Sequence, residues 1–280
     1  MDLWYARSES PGTRWCVRVT RPIFSGEGKT GRIDVLETDD FGRALAVGGC
    51  LAHTEGEGFA QREMLVHAPF NVHPNVRSAL VVGARDCGTV AELLRYPQIE
   101  RLVIVEDDPL LLEAQRRFFP EPAAALDDPR TRVVEEDAET YVRETKDRFD
   151  LAIIQSPGGP GDAAFGQSFF CDCFRLLSGD GILVSPAGSA YYTARRRELV
   201  SVVGKLKRLF PLYMLYRVDS PAVEGGSRLL GFASKKYDPI KDYDSDRWGK
   251  RGIATRYYDA DVHRAAFALP RYIAEVLEGS

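Results

Sequence analysis

The sequence predicts an α/β protein, with a mainly parallel sheet covered on both faces and a small antiparallel β domain in front of it. Three observations carry this expectation. From residue 78 onward, short apolar runs alternate with helical segments, as in βα units that build a parallel sheet. Before residue 70, apolar and polar residues alternate between turn signals, the pattern of hairpins. The first apolar run, Ser78-Ala-Leu-Val-Val, ends in the turn Gly83-Ala-Arg-Asp-Cys-Gly88, and the second stops at Glu106. A chain of 280 residues with 44% hydrophobic content has ample material for a packed interior.

Taken in order, Cys16 to Thr20 alternates, Arg32 to Thr38 leads into the turn Asp39-Asp-Phe-Gly42, and Arg43 to Val47 returns. Residues 1–70 therefore read as an N-terminal β-hairpin domain. Phe59 to His67 reads as a short helix leading to a boundary at His73-Pro-Asn75. Strands follow at 78–83, 101–106, 131–137, 149–155 and 181–187, with helices near 88–96, 109–118, 138–146, 166–177 and 193–210. Two later β segments, Tyr213 to Val218 and Arg228 to Ser234, supply an antiparallel edge. Five strands with crossovers plus such a hairpin give residues 71–280 a Rossmann-like, methyltransferase-type layout that suits a nucleoside.

Composition excludes several classes. The net charge of −4 arises from 37 basic and 41 acidic residues mixed along the chain, which fits neither a nucleic-acid footprint nor a polybasic membrane patch. No segment approaches the roughly 20 apolar residues that span a bilayer, and the N-terminus lacks a signal-peptide pattern, so the expected location is the cytoplasm. Cys16, Cys50, Cys87, Cys171 and Cys173 match no zinc or disulfide spacing, and the four histidines form no paired motif, so no metal is expected. Cys87, beside a helix N-terminus, reads either as a reactive thiol or as a small residue packed in the turn.

Ligands of an open α/β sheet bind outside the carboxyl ends of its strands. There the sequence puts Gly83, Asp86, Glu106, Asp137 and Gln155. Gly83 and Gly88 let backbone N–H groups approach a ligand at a helix N-terminus. Glu106, at the tip of the second strand, is placed to accept both ribose hydroxyl protons. Asp137, with Ala138 opening the next helix, is placed to accept from the adenine amine, and Asp86 to face an amine or sulfonium. Three acids on one rim suit an adenosyl sulfonium; each alone also fits a solvated carboxylate or a helix cap.

A series of motifs in order then resembles the spermidine synthase (polyamine aminopropyltransferase) family across nearly the whole chain. It includes Leu3-Trp-Tyr, Leu36-Glu-Thr-Asp-Asp-Phe-Gly42, Glu63-Met-Leu-Val-His-Ala-Pro69, His73-Pro-Asn75, Asp127-Asp-Pro-Arg130, Ser234-Lys-Lys-Tyr-Asp-Pro239 and His263-Arg-Ala-Ala-Phe-Ala-Leu-Pro270. The resemblance implies a homodimer or homotetramer built through the N-terminal part. It also implies attack by an amine on the propyl carbon beside the sulfonium of decarboxylated S-adenosylmethionine, releasing methylthioadenosine. Glu106, Asp137 and Asp86 fall on the family's ribose, adenine-side and glycine-loop acids.

The acceptor half departs from the family pattern. Its catalytic Asp is Gln155 here, its second acid is Gly158, its Tyr-His/Gln-Glu triplet is Gln61-Arg62-Glu63, and its late Tyr-Pro-Ser-Gly-x-Trp segment is Val223 to Arg228. A donor-contacting glutamine is Gly31, and the third loop glycine is Arg85. Glutamine cannot take a proton near neutral pH. Arg62 and Arg228 also put cations where a diamine would lie, so the acceptor is expected to be neutral or anionic. Asp162, Glu224 and Glu63 are candidate stand-ins for the base, or else loop acids and caps. Arg85 can pair with the carboxylate of intact S-adenosylmethionine, with transfer of a 3-amino-3-carboxypropyl group, or can point to solvent. Two further functions stay open: other S-adenosylmethionine chemistry (methyl transfer, elimination or cyclisation), and non-catalytic nucleoside binding.

Overall fold

The computed structural model describes residues 2–10, 12–155, 165–222 and 226–279. Strands β1 (Leu3–Ser10), β2 (Thr13–Gly28), β3 (Gly31–Thr38), β4 (Gly42–Val47) and β5 (Cys50–Thr54) pair in chain order as one antiparallel sheet. Gly31 closes the β2–β3 turn at φ +106°, which only glycine adopts without strain, and this accounts for glycine at that position. The inner face of the sheet, Ile33, Val35, Leu45 and Val47, packs on Leu111, Ala114 and Phe119 of the following domain.

Helix α1 (Gly58–Val72) is longer than the expected Phe59–His67 segment. Its buried residues, among them Met64, Leu65 and Phe70, join the core of the second sheet, and residue 70 lies inside it. Then come β6 (Ser78–Val82), α2 (Gly88–Leu94), β7 (Arg101–Val105), α3 (Pro109–Phe118), α4 (Pro120–Ala123), β8 (Thr131–Val134), α5 (Ala138–Glu144), β9 (Phe149–Ile154), α6 (Gln167–Leu176), β10 (Leu177–Gly188), α7 (Thr193–Leu209), β11 (Leu212–Ser220) and β12 (Gly226–Ser234). Helices α8 (Ser245–Arg251), α9 (Ala260–Ala266) and α10 (Arg271–Glu278) complete the described chain.

The second sheet has the order β11-β12-β10-β9-β6-β7-β8, with β12 antiparallel to both its neighbours and the other pairs parallel. Its central strands are apolar throughout because both faces are covered. Ala79, Val81, Leu102, Ile104, Leu151 and Ile153 face one core with α1 and α2. Leu80, Val82, Val103, Val105, Ala152 and Ile154 face the other with α5, α6 and α7. The order reverses between β6 and β9, which sets a crevice at their carboxyl ends. On that same rim stand the end of β11 at Ser220 and the start of β12, because β11 runs parallel to β10 and β12 against it.

The C-terminal segment braces α1 through a buried polar chain. His263 Nε2 donates to the Pro239 carbonyl at 2.8 Å, which leaves Nδ1 to accept from the Tyr258 hydroxyl at 2.8 Å. That hydroxyl accepts in turn from Asn71 Nδ2 of α1 at 3.1 Å. Burial holds the His263 imidazole down at about 4, so it is neutral.

Candidate active site

At the β6–β7 end of the rim the polar groups are tied to the backbone. Gly83 leaves β6 at φ +92°, with its N–H on the Val105 carbonyl at 2.8 Å. Glu106, 5% exposed, accepts from Ala84 N at 2.8 Å and from Asp108 N at 3.0 Å, one bond to each carboxylate oxygen. Burial pushes its carboxyl above the usual range, and the two peptide donors pull it back. Each oxygen keeps a lone pair that can accept a ligand hydroxyl. Gln115 Nε2 straps the loop from behind, donating to the carbonyls of Ala84 (2.9 Å) and Arg85 (2.8 Å).

The glycine loop turns on Asp86. Its Oδ1 accepts from Gly88 N at 2.9 Å, and its Oδ2 lies 3.1 Å from Arg62 Nε. Gln155, at the tip of β9, grips the Asp86 peptide from both sides: Oε1 accepts from Asp86 N (3.1 Å) and Nε2 donates to Asp86 O (3.0 Å). An aspartate there could make only the first of these bonds. The Arg62 side chain lies across Gly88, where a Cβ would displace its Cδ, Nη1 and Cζ. Arg85 is 7% exposed, which corrects the solvent-pointing alternative. Cys87 is buried in the turn, and burial pushes its thiol up, so the packing reading stands and the reactive one does not.

Asp137 is exposed and caps α5, its Oδ2 accepting from Thr140 N at 2.8 Å, with half-buried Ala138 next to it. The cap and a contact to a purine are compatible, since one oxygen carries the cap.

At the other end, side chains from distant segments meet. Arg228 Nη1 donates to Gln61 Oε1 at 2.7 Å, and Ser220 Oγ donates to Glu57 Oε2 at 2.6 Å. Glu63 is turned inward, 4% exposed, and accepts from the peptide N–H groups of Arg256 (3.0 Å), Tyr257 (2.8 Å) and Tyr258 (2.8 Å). It is a buried cap of that turn. Asp162, Gly158 and Glu224 lie outside the described residues. Sequence reasoning missed Glu57, Ser220 and Gln115. An acid just before a helix reads as its cap, yet the Glu57 side chain makes no capping bond, and its partner is 163 residues away.

Among the described residues no group of three or more His, Cys, Asp or Glu side chains could hold a metal ion, and no helix is long and apolar enough to cross a membrane. A cavity of about 680 Å³ between α7 and α10 contains none of the rim acids.

Fold and rim together define a Rossmann-like α/β protein with an added N-terminal β-sheet. The spermine/spermidine synthase domain family matches residues 58–244. Polyamine aminopropyltransferases of Alkaliphilus oremlandii and Clostridium perfringens are 38% and 39% identical, each alignment covering 99% of both chains. Among solved structures, spermidine synthase from Thermotoga maritima superposes with a TM-score of 0.91 at 31% identity, covering 99% of this chain and 94% of that one. A spermidine synthase in complex with the transition-state analogue AdoDATO gives 0.93 at 31% identity, covering 99% and 96%. The chain belongs to the spermine/spermidine synthase family.

Proposed function

We propose that the protein transfers an aminopropyl group from decarboxylated S-adenosylmethionine to an acceptor amine, releasing methylthioadenosine. The observation that carries this reading is Glu106, buried at the tip of β7 and bonded to the glycine-loop peptide, with a lone pair left on each oxygen for ribose hydroxyls. Full-length similarity to polyamine aminopropyltransferases and to a spermidine synthase that binds AdoDATO supports it. In the reaction the amine nitrogen forms a bond to the propyl carbon as the carbon–sulfur bond breaks, and the electron pair goes to sulfur. The sulfonium is a good leaving group, so the protein's tasks are alignment and removal of the acceptor's proton. A cytoplasmic homodimer or homotetramer, with a division between β-hairpin and Rossmann-like parts near residue 70, is part of the proposal.

The finer part of the reading is a changed acceptor. Gln155 spends its amide on the Asp86 peptide, and Asp86 already faces Arg62, so neither is free to anchor a second ammonium. The Gln61–Arg228 pair suits a neutral or anionic far end instead. The test is methylthioadenosine formation from decarboxylated S-adenosylmethionine with putrescine or with 4-aminobutanoate. Faster turnover of 4-aminobutanoate supports the changed acceptor, whereas faster turnover of putrescine removes that part and keeps the transfer. No product from either ends the transfer reading.

One observation favours a second donor. Arg85 is buried and next in the chain to Asp86, and in this reading its guanidinium meets the donor carboxylate. Titration calorimetry separates the two: tighter binding of the decarboxylated form, unchanged by Arg85→Gly, excludes the intact donor.

A further inference from the structure

An acceptor that arrives as an ammonium must lose a proton before its nitrogen can attack, and among the described residues the tip of β9 ends in Gln155, which cannot take it. The described acids on the rim can be sorted by what their oxygens already do, and Asp137, exposed at the β8 edge, caps α5 with one of its own. Both oxygens of Glu106 are bonded to peptide N–H groups at the nucleoside end. Asp86 is divided between Gly88 N and Arg62. Glu63 is sealed under three peptides of the C-terminal segment. Glu57 is different. It is half-buried at the mouth of α1, does not cap its helix, and meets only side-chain hydroxyls, that of Ser220 at 2.6 Å and that of Thr54.

Its position is on the acceptor side of the rim. Ser220 ends β11, and Arg228 follows across the hairpin on β12. Gly58, the next residue, lies against Arg62 Nη2, and Arg62 spans from there to Asp86. The groups that face Glu57 are the Ser220 and Thr54 hydroxyls, the Arg228 guanidinium and the Asp86 carboxylate. Burial raises the Glu57 carboxyl from its ordinary range, while the two hydroxyls and Arg228 draw it down. A carboxylate raised by burial is a better proton acceptor than a solvated one.

We propose that Glu57, oriented by Ser220, is the general base of this enzyme, doing from α1 what Gln155 cannot do from β9. The inference rests on the transfer reading above. In the step, an ammonium proton passes to a Glu57 oxygen, the freed nitrogen pair forms the bond to the propyl carbon, and the carbon–sulfur pair leaves on methylthioadenosine. Ser220 is a positioning residue: its O–H holds Glu57 Oε2 at 2.6 Å.

The experiment measures kcat against pH with decarboxylated S-adenosylmethionine and either 4-aminobutanoate or putrescine. Glu57→Gln is expected to lower kcat by about 100-fold or more, to abolish the acid limb of the profile, and to leave methylthioadenosine affinity unchanged. Glu57→Asp should recover part of the rate, and Ser220→Ala should displace the acid limb with a smaller loss. A Glu57→Gln protein within about threefold of the parent, with the acid limb intact, overturns the proposal. Carbon-13 resonances of labelled glutamate carboxyls supply a readout that needs no turnover. If the parent forms no product but the Glu57 signal shifts when either amine is added, the contact stands and the transfer reading falls. If that signal does not move, the proposal falls.

Discussion

The two ends of the rim are built differently. At the β6–β7 end, side chains bond to backbone: Glu106 to Ala84 and Asp108, Gln115 to Ala84 and Arg85, Gln155 to Asp86. At the β11–β12 end most contacts join side chains, Arg62 to Asp86, Arg228 to Gln61 and Ser220 to Glu57, with Glu63 the one that caps peptides. Backbone partners do not change with mutation, so the first arrangement constrains the residues that use it. Side-chain partners can be exchanged in pairs, so the second can take on a new ligand while the fold is kept.

The largest effect that would sharpen this contrast is expected at Glu106. In Glu106→Gln an NH₂ group must face one of two peptide N–H donors, and methylthioadenosine binding should weaken by about 100-fold or more, roughly 3 kcal/mol, in titration calorimetry. Unchanged affinity would mean the nucleoside sits elsewhere.

Acid should act next, through the buried brace on α1. His263 is held at about 4 when folded and titrates near 6.5 when unfolded, so the unfolded chain binds the proton first. Its contribution is complete above about 6.5 and is lost as pH falls towards 4, on the order of 3 kcal/mol. Urea midpoints measured across that window check it, and His263→Gln should flatten the slope.

Gln155→Asp is the sharpest attempt to break the contrast. The aspartate loses the bond to Asp86 O and adds a carboxylate beside Asp86, so stability should drop by about 2 kcal/mol in urea titrations. A variant as stable as its parent that gains putrescine turnover would show the two ends to be less distinct. The smallest change is expected for Asp137→Ala, which removes an exposed helix cap and should cost about 1 kcal/mol.

Much of the fold was readable in the order of residues. The central strands carry unbroken apolar runs because both faces are buried, and Glu106 stands where one of those runs stops, whereas Asp137 follows the shorter, half-buried edge strand β8. Helix α1 was underestimated because its later turns are buried against elements far along the chain, which no local periodicity reports. That Arg62 of α1 lies across Gly88 was not readable from the sequence. Glu63 read as a candidate base because its burial under residues 256–258 depends on a contact 195 residues away.

Sequence alone thus determined the layering of the sheet, the glycine turn and the acids at the strand tips, all of which follow from short-range pattern and the carboxyl-end rule. Only the tertiary structure decided which acids are already occupied. A carboxylate's chemistry depends on the donors that reach it, and around Glu57 and Asp86 the decisive donors, Ser220 and Arg62, come from other elements of the fold.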